Sequence, residues 1–195
     1  MKKIMFNDKY GLTQAVLEGR KTQTRRVVVF LSKTYEKAWR DRISTQESTF
    51  KNCLLKYSTY KVGEVVAVAQ AYKNIELKLP VPIAENEFEQ KQSYHIYGDT
   101  IGWHNKMFVK AELMPHSIKI TNIRIERLQD ISKEDCLKEG VKRKNERYVV
   151  ENQKGVVFYT NDPILAFRCL IDKTCGKGTW DSNPYVFVYD FELVK

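Results

Sequence analysis

At 195 residues, with 43% hydrophobic and 12% aromatic side chains, the chain has the size of one domain, or of one domain carrying a sizeable insertion. It can bury a core without disulfides or a structural metal, and it is too apolar to be disordered. Thirty-three Lys and Arg against 24 Asp and Glu give a net charge of +9, which points to a polyanionic partner and away from an acidic one. The excess is uneven: residues 1–30 carry seven basic and two acidic groups and residues 31–62 seven and three, while the rest is nearly neutral. Cys53, Cys136, Cys169 and Cys175 show no two-residue spacing and read as reduced thiols. The apolar run after Met1-Lys2-Lys3 is too short for a signal peptide or a span, so a cytoplasmic protein without membrane association is expected.

In chain order, Ile4-Met5-Phe6 predicts a short strand, and Leu12, Ala15 and Val16 share one helical face that Gly19 brings to an end at the position after the C-cap. Val27–Leu31 predicts a strand, and Tyr35, Ala38, Trp39 and Ile43 an amphipathic helix inside a charged, Ser- and Thr-rich stretch. Lys61-Val62-Gly63-Glu64 is a turn into the continuous apolar run Val65–Ala69, expected of a strand buried on both faces. Residues 73–110 give no clear period beyond a short strand at Tyr94–Tyr97. Residues 117–128 predict a long strand with an irregularity where the apolar spacing changes from two to three. Ser132 caps a helix that Gly140 ends, and Val149-Val150 with Val156–Tyr159 predict a hairpin. Asp162-Pro163 opens a further helix, and Tyr185–Leu193 is the last strand. Strands with helices inserted between them give an α+β class.

The segment Gly19-Arg20-Lys21-Thr22-Gln23-Thr24-Arg25-Arg26 is the most informative. Its composition suits phosphate, but it lacks the second glycine of a Walker loop. If extended, it puts Thr22, Thr24 and Arg26 on one face and Lys21, Gln23 and Arg25 on the other; a tight turn would instead join Lys21 to Thr24. The block Leu17–Arg26 resembles the G-x-K-T-x-T-x-R signature of the ASCH domain family, within the PUA-like superfamily of nucleic-acid and nucleotide binders. Tyr60–Glu64 resembles that family's Y-x-x-G-D turn. Ile123–Gly140 and Trp180–Glu192 are similar to the strand-to-helix block and final strand of the phage and prophage subgroup.

The resemblance implies a single PUA-like domain over residues 1–195, a mixed β-barrel with peripheral helices and insertions at about 30–58 and 73–110. It implies RNA or a modified nucleotide in a basic cleft. Some ASCH proteins are amidohydrolases that deacylate N4-acetylcytidine with a Lys, a Thr and a Glu, which by motif position are Lys21, Thr24 and Glu139 here. In that reading Lys21, its pKa lowered by Arg20, Arg25 and Arg26, activates Thr24. A phage or prophage accessory protein that binds a host protein is a third reading. Where the subgroup's central strand ends V-R-E-x-W, this chain has Val68-Ala69-Gln70-Ala71-Tyr72, with Gln70 and Tyr72 expected to line the pocket. Gly19, Arg20, Thr22, Arg25 and Arg26 complete the loop. Trp180, expected near the surface among loop-forming residues, is a candidate for stacking a base, and Asn183 for reading one. Lys142, Arg143, Lys144 and Arg147 read as a charged loop able to guide a phosphate backbone. No metal or cofactor is expected.

Overall fold

The computed structural model describes residues 1–29, 47–75 and 102–194. The helix expected at Tyr35–Ile43 and the strand expected at Tyr94–Tyr97 lie outside the described residues. The protein is a mixed α+β structure with two sheets, a five-stranded mixed sheet in the order β1-β3-β4-β8-β2 and a three-stranded sheet in the order β5-β6-β7. Among the described residues neither sheet closes into a barrel. The chain divides into two compact units, one of Met1–Phe6, Val65–Ile118 and Val194–Lys195, the other of Asn7–Glu64 and Lys119–Leu193.

In the first unit β1 (Lys3–Ile4) runs parallel to β3 (Val65–Val68). Val66, Ala67, Val68 and Ala69 are fully buried, as the continuous apolar run predicts. Small side chains let Tyr72, Val109 and Met114 pack with Ala67 and Ala69 in one cluster. The Tyr72 hydroxyl accepts a hydrogen bond from the Lys110 amide at 2.7 Å.

The second unit holds α1 (Leu12–Leu17), β2 (Gln23–Val27), α2 (Glu47–Leu55) and most of β4 (Ser117–Arg127), then α3 (Lys133–Lys138) and β5 (Lys142–Lys144). It continues with β6 (Arg147–Asn152), β7 (Gly155–Thr160), α4 (Pro163–Cys175), α5 (Thr179–Ser182) and β8 (Tyr185–Val194). Two differences from the sequence reading matter for function. First, the strand expected at Val27–Leu31 begins earlier, at Gln23, because Gln23–Val27 pairs antiparallel with β8 from Gln23↔Asp190 to Val27↔Val186; residues 30 and 31 lie outside the described residues. That register gives polar Gln23 a polar neighbour across the ladder, so a polar segment can lie inside the sheet. Second, the run Lys142–Lys144 is not a loop but the edge strand β5, antiparallel to β6. Lys142 and Lys144 both pair with Glu151, which offsets the charge that a strand of basic residues would otherwise concentrate.

Leu128, Ile131, Cys136, Phe167, Leu170 and Val188 belong to one buried cluster drawn from β8, α3, α4 and the turn after β4. Asp162 caps α4 by accepting from the Ile164 amide at 3.0 Å, with Pro163 next in the chain. Burial pushes the Cys136 thiol up to about 12, so little reactive thiolate forms near neutral pH. In native protein at mildly alkaline pH, iodoacetamide is therefore expected to label exposed Cys175 and to spare Cys136 until unfolding. Peptide mass spectrometry checks this, and prompt labelling of Cys136 would contradict its burial.

Candidate functional site: a buried charge cluster on strand β2

Gly19 takes the left-handed conformation, φ +71°, and its amide donates to Val16 O at 2.9 Å. The chain then turns back: the Lys21 amide donates to Ala15 O at 2.9 Å and the Thr22 amide to Lys138 O at 3.0 Å. These bonds seat Lys21 between the ends of α1 and α3. Gly140, just past α3, has φ +101°, and a Cβ there would lie 3.0 Å from Leu12 Cδ2 and 3.6 Å from Lys21 Cδ. Glycine thus supplies both the backbone conformation and the close approach.

Lys21 is 2% exposed. Its Nζ donates at 2.7 Å to each of three acceptors: Gln23 O, Glu139 O and Glu139 Oε2. Burial holds its pKa below the ordinary lysine value; Glu139 opposes this, while Arg26 and Arg25 add to it. The like-charge effect read from the sequence is therefore present but secondary to desolvation.

Arg25 is the hub of the cluster. Its Nη1 donates to Gln23 Oε1 and, at 3.1 Å, to Glu139 Oε1. Its Nη2 reaches Glu126 Oε2 at 3.0 Å and Asp135 Oδ2 at 3.1 Å. The guanidinium carbon lies 5.9 Å from the centre of the Phe167 ring. Further out, Arg124 bonds Glu126, Asp135 and Asp190 at 2.5, 2.7 and 2.5 Å, and Asp190 also accepts from Gln23 Nε2 and Asn122 Nδ2. Burial would raise the Asp135 carboxyl, but hydrogen bonds from Arg25 and Lys138 and the charges of Arg25 and Arg124 hold it below the usual aspartate value. Three cations, Lys21, Arg25 and Arg124, thus face four carboxylates in one connected network. Among the described residues no group of three or more His, Cys, Asp or Glu side chains is arranged to hold a metal ion.

Thr24 sits between Gln23 and Arg25 on β2, so its side chain projects from the other face of the strand. Both outer neighbours point into the network, and the extended alternative of the sequence reading is the one realised. Thr24 is 4% exposed. It stands opposite Tyr189 in the ladder. Tyr189 and Ser58 share a hydrogen bond at 3.0 Å, and Tyr60 meets the Tyr189 ring edge to face at 5.2 Å. Burial raises the Tyr60 phenol, and the charge of Arg26 acts against that rise. Thr24, Arg26, Ser58, Tyr60 and Tyr189 thus form a second, hydroxyl-rich group.

Comparison with protein-family models, with curated proteins and with solved structures returned no match.

The remaining sequence-predicted residues fall in several places. Arg20 is exposed and bridges Glu18 at 2.7 Å. Thr22 takes part through its backbone, its carbonyl accepting from the Phe191 amide at 2.9 Å. Gln70 and Tyr72 belong to the first unit, where Gln70 is buried and its Oε1 has no hydrogen-bond partner among the described residues. Trp180 is not near the surface: it is 9% exposed, packed in the core and edge to face with Phe167 at 6.2 Å. The loop-forming residues around it build the short helix α5, which turns the ring inward. Asn183 occupies the left-handed region, φ 41°, and its Oδ1 accepts from the Gln129 amide at 2.9 Å, so its side chain fastens this turn to the end of β4. Sequence reasoning missed Gln23, Asn122, Arg124, Glu126, Asp135 and Asp190. The available signal was Asn122, Arg124 and Glu126 at alternate positions of an otherwise Ile-rich strand, which puts three polar groups on one face.

Proposed function

We propose that the chain is an ASCH-type, PUA-like module that binds RNA or a modified nucleotide rather than one that hydrolyses an amide. The observation that carries this reading is the Lys21 ammonium with its three acceptors at 2.7 Å. Only the ammonium has three N–H donors; a neutral amine acting as a base would leave one buried acceptor unpaired. Lys21 and Arg25 then fix β2 in place, and the ligand meets the opposite face, where Thr24 and Arg26 lie with Ser58, Tyr60 and Tyr189. The exposed Arg26 guanidinium suits a phosphate on that face, while Thr24, Tyr60 and Tyr189 are buried beneath it and support the strand.

Fluorescence anisotropy with labelled single-stranded RNA tests this. The logarithm of the association constant is expected to fall linearly with the logarithm of salt, by about 0.7 per phosphate neutralised. Arg26→Ala is expected to reduce that slope by about one phosphate contact. No binding at low salt, or binding indifferent to salt, would count against the reading.

A second reading, deacylation of an N4-acylcytidine, draws support from the Lys21–Glu139 pair and from burial lowering the Lys21 pKa. It requires Thr24 to reach Lys21 from the far face of β2, which means breaking ladder bonds to β8.

A further inference from the structure

We infer that the outer face of the β5-β6-β7 sheet is a platform for single-stranded RNA, separate from the β2 site; this rests on the RNA-binding reading above. Residues 142–160 carry five basic and two acidic side chains. Up to the bulge after Val150, alternation sorts the sheet into two faces: Val150 and Phe158, directly paired, turn to the core, and buried Val149 and exposed Tyr159, also paired, lie on the other side. Tyr159 is 62% exposed, with Val156 and Val157 exposed beside it. The Arg147 guanidinium stands over the Tyr159 ring at 5.2 Å from its centre. Lys144 and Arg147 line an open groove of about 740 Å³ together with Val157 and Tyr159.

The two kinds of basic residue differ in their partners. Lys142 and Lys144 share Glu151, whereas Arg147 lies against Tyr159 and has no carboxylate partner among the described residues; Arg143, paired with Tyr148, belongs to the other face. An unneutralised guanidinium stacked on an exposed tyrosine offers a cation for phosphate and an aromatic face for a base within one short step. The positive charge favours a polyanion over an apolar peptide, and the flat, open groove suits an unpaired strand better than a duplex. The occupant is therefore a short stretch of single-stranded RNA, a base on Tyr159 and its phosphates on Arg147 and Lys144.

The test is anisotropy with a fluorescein-labelled oligouridine, comparing wild type with Tyr159→Ala, Arg147→Ala and Arg26→Ala over a salt series. Tyr159→Ala, at an exposed position, is expected to weaken binding about tenfold or more. Arg147→Ala is expected to flatten the salt slope by about 0.7. If both variants bind like wild type while Arg26→Ala does not, the platform is refuted and the β2 reading survives. If both lose affinity while Arg26→Ala keeps it and its slope, the platform stands and the β2 face is refuted as the ligand site. No binding by wild type refutes both. A wild-type dimer in sedimentation that Tyr159→Ala dissociates would make this face a protein interface and overturn the RNA assignment.

Discussion

Replacing Lys21 with methionine is expected to lower the free energy of unfolding by about 3–5 kcal/mol, the range for removing one partner of a buried ion pair. Methionine matches the stem in length but leaves Gln23 O, Glu139 O and one Glu139 carboxylate oxygen without their donor. Arg25 still holds the other Glu139 oxygen, so the carboxylate is weakened rather than stranded. Removing both charges in Lys21→Met/Glu139→Leu is expected to cost less than the two single changes added together, with a coupling of about 0.5–3 kcal/mol. Urea denaturation monitored by circular dichroism checks both values. A Lys21→Met protein as stable as wild type would mean that the lysine is not held for the fold.

Arg25→Leu is expected to be the more damaging change, about 5 kcal/mol or loss of cooperative folding, which for a domain of 5–15 kcal/mol total stability leaves little or nothing. The guanidinium binds Glu126, Asp135 and Glu139 at once. Without it, Lys21 and Arg124 are left to offset four carboxylates drawn from β4, α3, its C-cap and β8. Arg25→Lys is expected to recover only part of the loss, because a point charge cannot span three carboxylates as a planar fork does. Thermal and urea unfolding distinguish these outcomes. A loss under about 1 kcal/mol for Arg25→Leu would show that the network relaxes around the missing cation.

Much of the local structure was legible because it rests on local rules. Gly19 and Gly140 marked the ends of α1 and α3 through their left-handed backbone, and the Val65–Ala69 run announced a strand that is buried on both faces from Val66 on, with Val65 exposed. The Lys21–Glu139 meeting was suggested by motif resemblance. The hub of the cluster was not legible. Arg25 was expected to meet a ligand and Gln23 had no assigned role, and only the β2–β8 register with Asp135 and Glu139 at the end of α3 makes their burial tolerable. The Lys142–Lys144 run read as a loop for a similar reason: its strand character depends on Glu151, which lies on the neighbouring strand. Trp180 was misjudged because Gly176, Gly178 and Asn183 do signal turns, yet a tight turn can aim a large ring inward as readily as outward. In each case the missing information was a contact distant in sequence.

Whether Lys21 serves the fold or a reaction is tested most directly by incubating wild-type protein at high concentration with N4-acetylcytidine and measuring acetate release. No release above the buffer control is the expected result, because the three acceptors retain the ammonium and Thr24 lies on the opposite face of β2. Turnover that disappears in a folded Thr24→Val variant would contradict this and assign Lys21, Thr24 and Glu139 to catalysis.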